Sequence, residues 1–410
     1  MKYYWFYIDT YVYARKTENS LILYNTLSKN ITKFYQIEIL SFYDKLKEEN
    51  GIIKLNTNDL KNRTLREFVI LVKNTFSGDL IEIKNGNSKP ILLKSQCHIM
   101  DDARNKAKDE KKEIKDILQY LHELSIYVNS ECNIKDCQIC NYAYKQTDTC
   151  YKQAENNSLN LEEIKPIIDL IDCLPNLRKL KVLGGDINKY ESLNDLLELL
   201  KEKQTEIEFI FNIKQLKKET LSKFKNKNFT KKIIIQGRDG FQIFKKNIDF
   251  LKKDDCSFDF LVDNEIDFDL IDKNYHLLNG INHRVVPIYL GNNLLFFEQN
   301  VYMTEEDIVE SQPELKSILR NEKLNTNFFG KLFITSKGDV YENLNGTSIA
   351  SIKKINLAKL ISQIITNGDY WFKIRQNCNE CKDCHFVDIC PPISNYELVL
   401  KQNNLCKVQV

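Results

Sequence analysis

The chain has 410 residues, 42% of them hydrophobic, and its 59 basic residues nearly balance 57 acidic ones to leave a net charge of +2. This length suits two or three globular domains, and the near-neutral charge disfavours a dedicated nucleic-acid-binding protein. The opening residues lack the basic start, apolar run and cleavage site of a secretion signal, and no stretch of about 18 apolar residues follows. We therefore expect a cytoplasmic protein with no membrane partner.

Residues 1–85 are predicted to form a small domain of strands followed by helices. The stretches YYWFYIDTYVYARK and NSLILYNTLSKNITKF are rich in aromatic and β-branched residues and are interrupted by turn formers at TENS and LSKN, which favours a hairpin. Helical spacing follows in IEILSFYDKLKEEN and NDLKNRTLREFVILVKNTF, with Asn58 or Asp59 as the expected N-cap of the second helix. This order predicts a winged-helix-like domain.

Residues 86–120 are predicted to form a linker and a charged helix, and residues 121–320 alternate short apolar runs with amphipathic helices. Buried strands between helices are typical of a parallel sheet. Six such units predict an α/β fold, a partial (β/α)6 barrel, in which chemistry collects at the carboxyl ends of the strands. Residues 321–410 contain a hairpin-like piece, KLFITSKGDVYENLNG, then a helix and a cysteine-rich tail.

A first group of thiols follows the first predicted barrel strand. Cys132, Cys137 and Cys140 are separated by four and then two residues. In a reducing cytosol such a group favours a metal or redox site over disulfides. Three thiolates can hold three irons of a four-iron cluster and leave the fourth iron open for a ligand. The alternatives are a zinc site completed by Cys150, or thiols that bind no metal.

A glycine pair follows the next predicted strand, where KLKVLGGDI places Gly184, Gly185 and Asp186. Without side chains, such glycines let a polar group of a ligand reach backbone amides and carbonyls. A glycine pair after a strand is most often only a turn. Its position beside a cysteine-rich loop gives it more weight.

Together these features resemble a radical S-adenosylmethionine (SAM) protein with a SPASM domain. By this resemblance, three cysteines match the ligands of the SAM cluster and the Gly-Gly-acid motif matches the one that receives the methionyl amino group: Cys132, Cys137, Cys140, Gly184, Gly185 and Asp186. The family usually has three residues, not four, between the first two cysteines, and often an aromatic residue where this chain has Ile139. The additional residue puts binding of the cluster and of SAM in doubt.

The tail also resembles a SPASM domain. Cys381, Cys384, Cys390 and Cys406 have intervals of two, five and fifteen residues, similar to the ligand set of the second auxiliary four-iron cluster. The first auxiliary set is incomplete, because Asn343 and Ser394 stand where cysteines would be expected, and Cys378 is then a spare thiol. A four-cysteine zinc site is the alternative.

A closer resemblance covers nearly the whole chain and includes MKYYWFY, TFSGDLIEIKNG, AYKQTDTC and CKDCHFVDICPPISNYE. These segments are similar to the pseudo-radical-SAM/SPASM protein found beside peptides with a double-glycine (GG) leader and a true radical SAM maturase. The resemblance implies maturation of ribosomally made peptides (RiPPs), with a precursor peptide and a partner maturase as partners. It also implies one auxiliary 4Fe-4S cluster and, if the first motif is functional, a second 4Fe-4S cluster with SAM.

Three hypotheses follow. The first is an accessory protein that binds the precursor peptide and pairs with the maturase, and the second is an active maturase that modifies a peptide side chain. A zinc-binding interaction protein is the remote third. Residues 1–85 resemble leader-recognition domains, in which an extended peptide adds a strand to a sheet edge; we expect SLILYNTL to supply that edge.

Overall fold

A computed structural model of the chain describes residues 1–84, 88–109, 113–134, 137, 139–152, 155–254, 256–354 and 356–408. It is a mixed α/β protein whose described strands form one nine-stranded and two three-stranded sheets. Within the described residues, every helix is too short or too polar to span a lipid bilayer.

The first 120 residues form the two small sheets and helices. Their elements are β1 (Tyr3–Ile8), β2 (Val12–Lys16), β3 (Leu21–Asn25), β4 (Ile31–Phe34), α1 (Ile37–Glu48), β5 (Ile52–Asn56), α2 (Arg63–Asn74), β6 (Gly78–Glu82), α3 (Ile99–Lys108) and α4 (Ile114–Leu118). Helices α1 and α2 pack on the small sheets, whereas α3 and α4 join the core of the nine-stranded sheet through their buried residues Ala103, Ile117 and Leu118. One sheet has the order β5-β1-β6 and the other β2-β3-β4. The turns at TENS and LSKN join β2 to β3 and β3 to β4, which pair antiparallel, so the predicted hairpin is observed.

Two details of this region differ from the sequence-based predictions. The N-cap of α2 is Asn62, whose side chain accepts a hydrogen bond from the Leu65 amide at 3.0 Å. Asn58 and Asp59 instead precede the helix, where Asp59 begins a short 3-10 turn. The SLILYNTL segment supplies β3, which is paired on both sides and fully buried, so it is not a sheet edge. Strand β3 is central because β4 pairs with its second side. The local sequence pattern of a strand does not encode which strands will pair with it.

The large sheet is built from residues 121–351. The elements of residues 121–320 are β7 (Glu123–Tyr127), α5 (Ile139–Tyr142), α6 (Leu161–Leu170), β8 (Lys179–Leu183), α7 (Leu193–Lys201), β9 (Glu206–Asn212), α8 (Lys218–Lys223), β10 (Phe229–Gln236), α9 (Gly237–Leu251), β11 (Cys256–Val262), α10 (Glu265–Lys273), β12 (Asn282–Pro287), α11 (Leu294–Asn300), α12 (Glu305–Glu310) and α13 (Leu315–Asn321). The remaining elements are β13 (Lys331–Ile334), β14 (Asp339–Tyr341), β15 (Ala350–Ser351), α14 (Leu357–Asn367) and α15 (Asn395–Leu400).

The six predicted barrel strands are observed in sequential, parallel order. The full sheet is β12-β11-β10-β9-β8-β7-β13-β14-β15, and it therefore continues across residue 320, where the sequence predicts a domain boundary. Strand β13 pairs in parallel with β7, opposing Leu332 to Leu124. This pairing covers an edge that β7 would otherwise expose.

Strands β7 to β11 are buried on both faces because each face packs against a different part of the chain. On the helix face, side chains such as Ile126, Val182 and Phe209 join the main hydrophobic core with the helices. On the opposite face, their neighbours Tyr127, Leu183, Ile210, Ile234 and Leu261 form a second cluster that includes Ala143. Since alternate strand residues point to opposite faces, neighbouring residues of each strand serve the two cores.

The N-terminal sheets are joined to the tail by a mixed core and by hydrogen bonds. Tyr13 and Tyr24 pack with Phe386 and Ile389 of the tail in one buried cluster. The Tyr13 hydroxyl donates to Asp388 Oδ2 at 2.9 Å. The small N-terminal region is therefore packed directly against the cysteine-rich tail.

Candidate functional site

The first thiol group lies at the carboxyl ends of two parallel neighbours, β7 and β8. Cys132 follows β7, and Gly184 follows β8 directly. Asn129 joins the two loops, since its carbonyl and side-chain oxygens accept hydrogen bonds from the Gly185 amide at 3.0 and 3.1 Å. Its Nδ2 donates to the Asp186 carbonyl at 2.8 Å. The structure thus brings the Gly-Gly-Asp motif and the cysteine loop side by side.

This close approach explains why both positions after β8 are glycine. A Cβ atom on Gly184 would lie 2.3 Å from Asn129 Oδ1, and one on Gly185 would lie 2.3 Å from the Glu131 carbonyl oxygen. A real Cβ atom does not approach another atom so closely, and the atoms that it would meet belong to the cysteine loop. The glycine pair is therefore required by the packing of the two loops.

Polar groups of the Gly-Gly-Asp motif are already engaged within the chain. The Gly184 carbonyl accepts a hydrogen bond from the Tyr151 amide at 3.3 Å. The Asp186 carboxylate accepts from the amide and the Nδ2 of Asn188 at 3.1 and 2.9 Å, and so caps the 3-10 turn Ile187–Lys189. One carbonyl and one carboxylate oxygen of the motif, Gly184 O and Asp186 Oδ1, therefore already have partners within the chain.

The predicted loop thiols lie close together with a fourth cysteine, Cys150. Burial raises the pKa of the Cys132 thiol, and the charge of Cys137 adds to this. A hydrogen bond with Cys137 is the main cause of the raised pKa of Cys140, followed by burial and by the charge of Cys150. N–H donors contact three of the sulfurs: Gln215 Nε2 to Cys132 at 3.1 Å, the Lys152 amide to Cys140 at 3.3 Å, and Asn212 Nδ2 to Cys150 at 3.7 Å.

The residues that follow the cysteine loop run across the face of the sheet opposite the helices. We call residues 143–151 the inner segment. Ala143 packs in the apolar cluster of this face, Thr149 and Cys150 are buried, and Tyr151 contacts Tyr127 edge to face. The chain's own residues thus cover the face that the helices do not.

Polar contacts fix both sides of the inner segment. Gln146 exchanges two hydrogen bonds with the backbone of Tyr289, at 2.7 and 2.8 Å. Asn345 Nδ2 donates to the Lys145 carbonyl at 2.9 Å, and Asn395 Nδ2 donates to the Gln146 carbonyl at 3.4 Å. The segment therefore ties the end of β12 to the loop after β14 and to α15.

A layer of charged side chains lies on the same face, one step nearer the amino ends of the strands. Lys181 binds Asp148 of the inner segment at 2.6 Å and Glu123 at 2.7 Å. The other members are also paired: Lys232 with Glu208 at 3.1 Å, and Arg284 Nε with Asp259 Oδ1 at 2.8 Å. Sequence analysis missed this layer. Its signal was available, because each of the strands β8 to β12 carries a charged residue two positions before an apolar residue of this face.

A cavity of about 410 Å³ adjoins the charged layer, between the sheet, the inner segment and α15. Charged side chains of both signs line it together with aromatic ones, among them Glu123, Asp148, Arg284, Lys331, Glu342 and Tyr396. Its place next to the inner segment makes it a space for a polar ligand or for part of a peptide.

The tail brings its four predicted ligands together. Burial raises the pKa of Cys390 to about 12 and also raises that of Cys384, and the charges of Cys381 and Cys406 add to both shifts. Cys406 is held by a parallel bridge to Met303. The fifth tail thiol, Cys378, lies beside Cys381 and donates to the Ile374 carbonyl at 3.7 Å.

A buried cation lies among the tail thiols. Arg375 is 9% exposed, and its Nη1 contacts Cys381 Sγ at 3.7 Å and Glu397 Oε1 at 2.7 Å. The same nitrogen donates to the Asn403 carbonyl at 3.0 Å. Burial alone would lower the pKa of Arg375, but the negative charges of neighbouring Cys390 and Glu397 outweigh burial and raise it. A positive charge is therefore built into this site.

The donor set fits an iron–sulfur cluster at both places. At each place the thiols lie in loops and N–H groups are directed at their sulfur atoms. Hydrogen bonds to sulfur are a normal feature of iron–sulfur clusters. In the tail these donors are the Phe386 amide, 3.4 Å from Cys384 Sγ, and Arg375. Among the described residues, no group of three or more acidic, histidine or cysteine side chains is arranged to hold a metal ion. A four-iron cluster binds one thiolate at each iron, so its ligands stand further apart than those of one ion.

The comparisons with known proteins give structural matches only. No protein-family model and no curated protein sequence matches the chain. The crystal structure of Streptococcus suis SuiB superposes with a TM-score of 0.51 at 15% identity, over 98% of this chain and 100% of SuiB. The chain therefore shares the fold of SuiB over its whole length.

Two further structures are similar at lower scores. SuiB bound to precursor peptide SuiA matches with a TM-score of 0.49 at 16% identity, over 97% of each chain. The protein anSMEcpe with bound AdoMet and the Cp18Cys peptide matches with a TM-score of 0.44 at 15% identity, over 68% of this chain and 94% of that one.

Proposed function

We propose that this chain is a radical-SAM-like/SPASM protein of ribosomal peptide maturation with an accessory role: it binds a precursor peptide and a partner maturase. The inner segment carries this proposal. A catalytic barrel needs the face inside its strands for substrate and cofactor, and here residues 143–151 cover part of that face beside the cavity of about 410 Å³. Asp148 of this segment, whose side chain is 22% exposed, pairs at 2.6 Å with the buried Lys181. Uncovering this part of the face would separate the pair and remove a partner of the buried ammonium.

The engaged glycine motif supports the same role. Gly184 and Asp186 use their polar groups on Tyr151 and Asn188, and the cysteine loop has one more residue than the family pattern. The resemblance of the chain to pseudo-radical-SAM proteins and the shared fold of SuiB agree with this proposal. A reducing cytoplasm suits the twelve cysteines.

The tail is the proposed place of one auxiliary 4Fe-4S cluster. Cys381, Cys384, Cys390 and Cys406 would hold it, with Arg375 as its charge partner. When bound, such a group supplies a cross-link between the tail and the rest of the fold, because metal binding is then part of folding. Met303 and Tyr13 are the contacts through which this cross-link reaches α12 and the N-terminal sheets.

Residues 1–85 are the proposed leader-recognition domain, with β6 as the docking edge. Strands β2 and β4 contact other parts of the chain: Arg15 donates a hydrogen bond to the Lys382 carbonyl at 2.7 Å, and Lys33 forms an ion pair with Glu305. Strand β6 is hydrogen-bonded on one side, to β1, and α2 packs beside it. An extended leader would add a strand at β6 by main-chain hydrogen bonds.

Exposed apolar side chains on α2, the helix that packs beside β6, and just after it suit the hydrophobic positions of such a leader. Ile70 and Leu71 on α2 are 49% and 39% exposed, and Phe76 just after the helix is 76% exposed. An apolar patch beside a sheet edge is a common feature of peptide-binding surfaces.

The test measures binding of the labelled leader of a double-glycine precursor encoded beside this chain's gene, by fluorescence anisotropy with the full-length protein. We expect the wild type to bind and the Ile70→Glu/Leu71→Glu variant to bind at least about tenfold more weakly, because a charge at each position opposes apolar contact. Ile266→Glu is the matched control, since Ile266 is 65% exposed on α10. A wild type that does not bind contradicts the proposed role.

The second candidate is an active maturase. It is favoured by the convergence of Cys132, Cys137 and Cys140 at the carboxyl end of β7. A reduced cluster there would supply the electron that cleaves SAM, and the protein would supply placement and exclusion of water.

A further inference from the structure

The first thiol group contains one cysteine more than a SAM-binding cluster uses, and that cysteine lies on the inner segment. We infer that Cys150 is the fourth thiolate ligand of this site, so that a four-iron cluster held by Cys132, Cys137 and Cys140 has a protein ligand on every iron. The inference deepens the proposed accessory function and rests on it, because both follow from the position of the inner segment.

The position of Cys150 is fixed from three directions. The side chain is 3% exposed, and Asn212 at the end of β9 directs its Nδ2 to the sulfur at 3.7 Å. The next residue, Tyr151, donates its amide to the Gly184 carbonyl, and Lys152 donates its amide to Cys140 Sγ at 3.3 Å. Within two residues of Cys150, the backbone therefore contacts both the glycine pair and a loop thiol.

Two of the four sulfurs lie in a largely dry place. Cys132 is 7% and Cys150 is 3% exposed. Coordination to iron deprotonates a thiol, and the iron would supply the positive charge that buried thiolates need.

A purely apolar role does not account for the surroundings of Cys150. Asn212 is 3% exposed and directs a polar N–H group at this sulfur, and hydrogen bonds to sulfur suit a thiolate ligand. Cys256 is a comparison within the chain, because it is similarly buried at 6% but begins β11 in the core on the helix face. The Cys256 thiol donates to the Asp254 carbonyl at 3.7 Å, whereas the Cys150 sulfur accepts from Asn212, as a thiolate ligand would.

Closure of the site by Cys150 has a chemical consequence. SAM reaches a cluster through an iron that carries no protein ligand, to which its amino and carboxylate groups bind. With four thiolates no iron is open, so we expect the cluster to persist without exchangeable ligands. This would make the first site structural, like the tail site.

The test uses loss of one iron from the reconstituted full-length protein. Ferricyanide takes one electron from a 4Fe-4S cluster, an Fe²⁺ ion leaves to solvent, and a three-iron cluster with a distinct electron paramagnetic resonance signal remains; the iron lost is the one without a thiolate. We expect about eight irons per wild-type chain, about four after Cys132→Ala/Cys137→Ala/Cys140→Ala, and no three-iron signal from the wild type.

Removing the fourth thiolate is expected to create that signal. Cys150→Ala should yield up to about one three-iron cluster per chain and release about one Fe²⁺, whereas the control Cys256→Ala should behave as the wild type. Cys150→Ser keeps the size of the side chain and is the second variant if alanine impairs folding. Its weaker ligand predicts an intermediate yield.

Three results would overturn the inference: a three-iron signal from the wild type, no signal from either Cys150 variant at full iron content, or unchanged iron in the triple variant. The wild-type result needs no variant to fold. Failure of this inference leaves leader binding by the wild type unaffected, while failure of the proposed function appears as absent leader binding with the iron chemistry intact.

Discussion

The two thiol groups differ in how the fold balances their charge. In the tail, Arg375 lies among the sulfurs and is paired with Glu397, which is 2% exposed. At the first site the side-chain donors are the neutral amides of Gln215 and Asn212. The reduction potential of a cluster depends on nearby charge and on hydrogen bonds to sulfur. If both proposed clusters form, the built-in cation would therefore favour the reduced form of the tail cluster more than the neutral donors would favour that of the first cluster.

The two groups also differ in what holds them in place. The tail thiols are packed between the N-terminal sheets and α13, through Tyr13, Ile318 and Phe386. The first group is held by the inner segment, which lies over a charged layer. The tail site should thus resist changes in the barrel sheet, and the first site should depend on the Lys181–Asp148 pair.

The largest effect is expected from removing a tail ligand. Cys384→Ala should lose about four irons and most of the soluble protein, because metal binding there is part of folding. Cys378→Ala is the matched variant, since Cys378 is similarly placed but is predicted to be a spare thiol. It should keep its iron and lose only about 1 kcal/mol of stability. Iron analysis of both variants checks this, and equal iron loss would contradict the assigned ligand set.

Removing the buried cation is expected to have the next largest effect. Arg375→Met should lower the free energy of unfolding by about 3–5 kcal/mol, because it leaves the Glu397 carboxylate buried without its partner. Urea unfolding of reconstituted protein measures the loss, and Arg66→Met on the exposed face of α2 is the control. Adding Glu397→Leu should restore part of the stability. A double variant that is no better than Arg375→Met would show that Glu397 is not the cause.

The contact between the large sheet and the inner segment is tested by Asp148→Asn. Burial alone raises the pKa of Asp148, but the Lys181 ammonium outweighs it and lowers the pKa from 3.8 to about 2. This group stabilises the fold above its unfolded pKa, and the contribution is lost as the pH falls through 3.8 towards about 2.

We expect Asp148→Asn to cost about 2 kcal/mol at neutral pH. The difference from the wild type should stay constant down to about pH 5 and shrink below about pH 4. Urea unfolding as a function of pH measures it, with the exposed Asp195→Asn as control. A difference that grows as the pH falls would have the wrong sign for this ion pair.

The smallest effect is expected at the contact between the N-terminal sheets and the tail. Tyr13→Phe removes the bond to Asp388 and should cost about 1 kcal/mol. Tyr43→Phe is the control, because its hydroxyl bonds to the Ala14 carbonyl inside the N-terminal region. The two tryptophans, Trp5 and Trp371, report on the two sides. Coincident shifts of both fluorescence transitions would mean that the regions unfold together, and separate transitions would contradict the shared core.

The sequence predicted the repeating features well, because strand and helix periodicities are local. The six parallel strands and the position of the glycine pair after β8 are both present. Three features depend on partners distant in sequence: the central place of β3, the pairing of β13 with β7 and the Lys181–Asp148 pair. The N-cap of α2 was assigned to Asn58 or Asp59 instead of Asn62 because all three are good cap residues and the sequence alone does not choose among them.

The accessory role is tested most directly by SAM cleavage. Reconstituted wild-type protein is incubated anaerobically with SAM and dithionite, with and without the precursor peptide, and 5′-deoxyadenosine is measured by liquid chromatography. The account predicts no 5′-deoxyadenosine above that formed by Cys132→Ala/Cys137→Ala/Cys140→Ala under the same conditions. Formation of one or more equivalents per chain by the wild type alone would contradict the account and establish the active maturase.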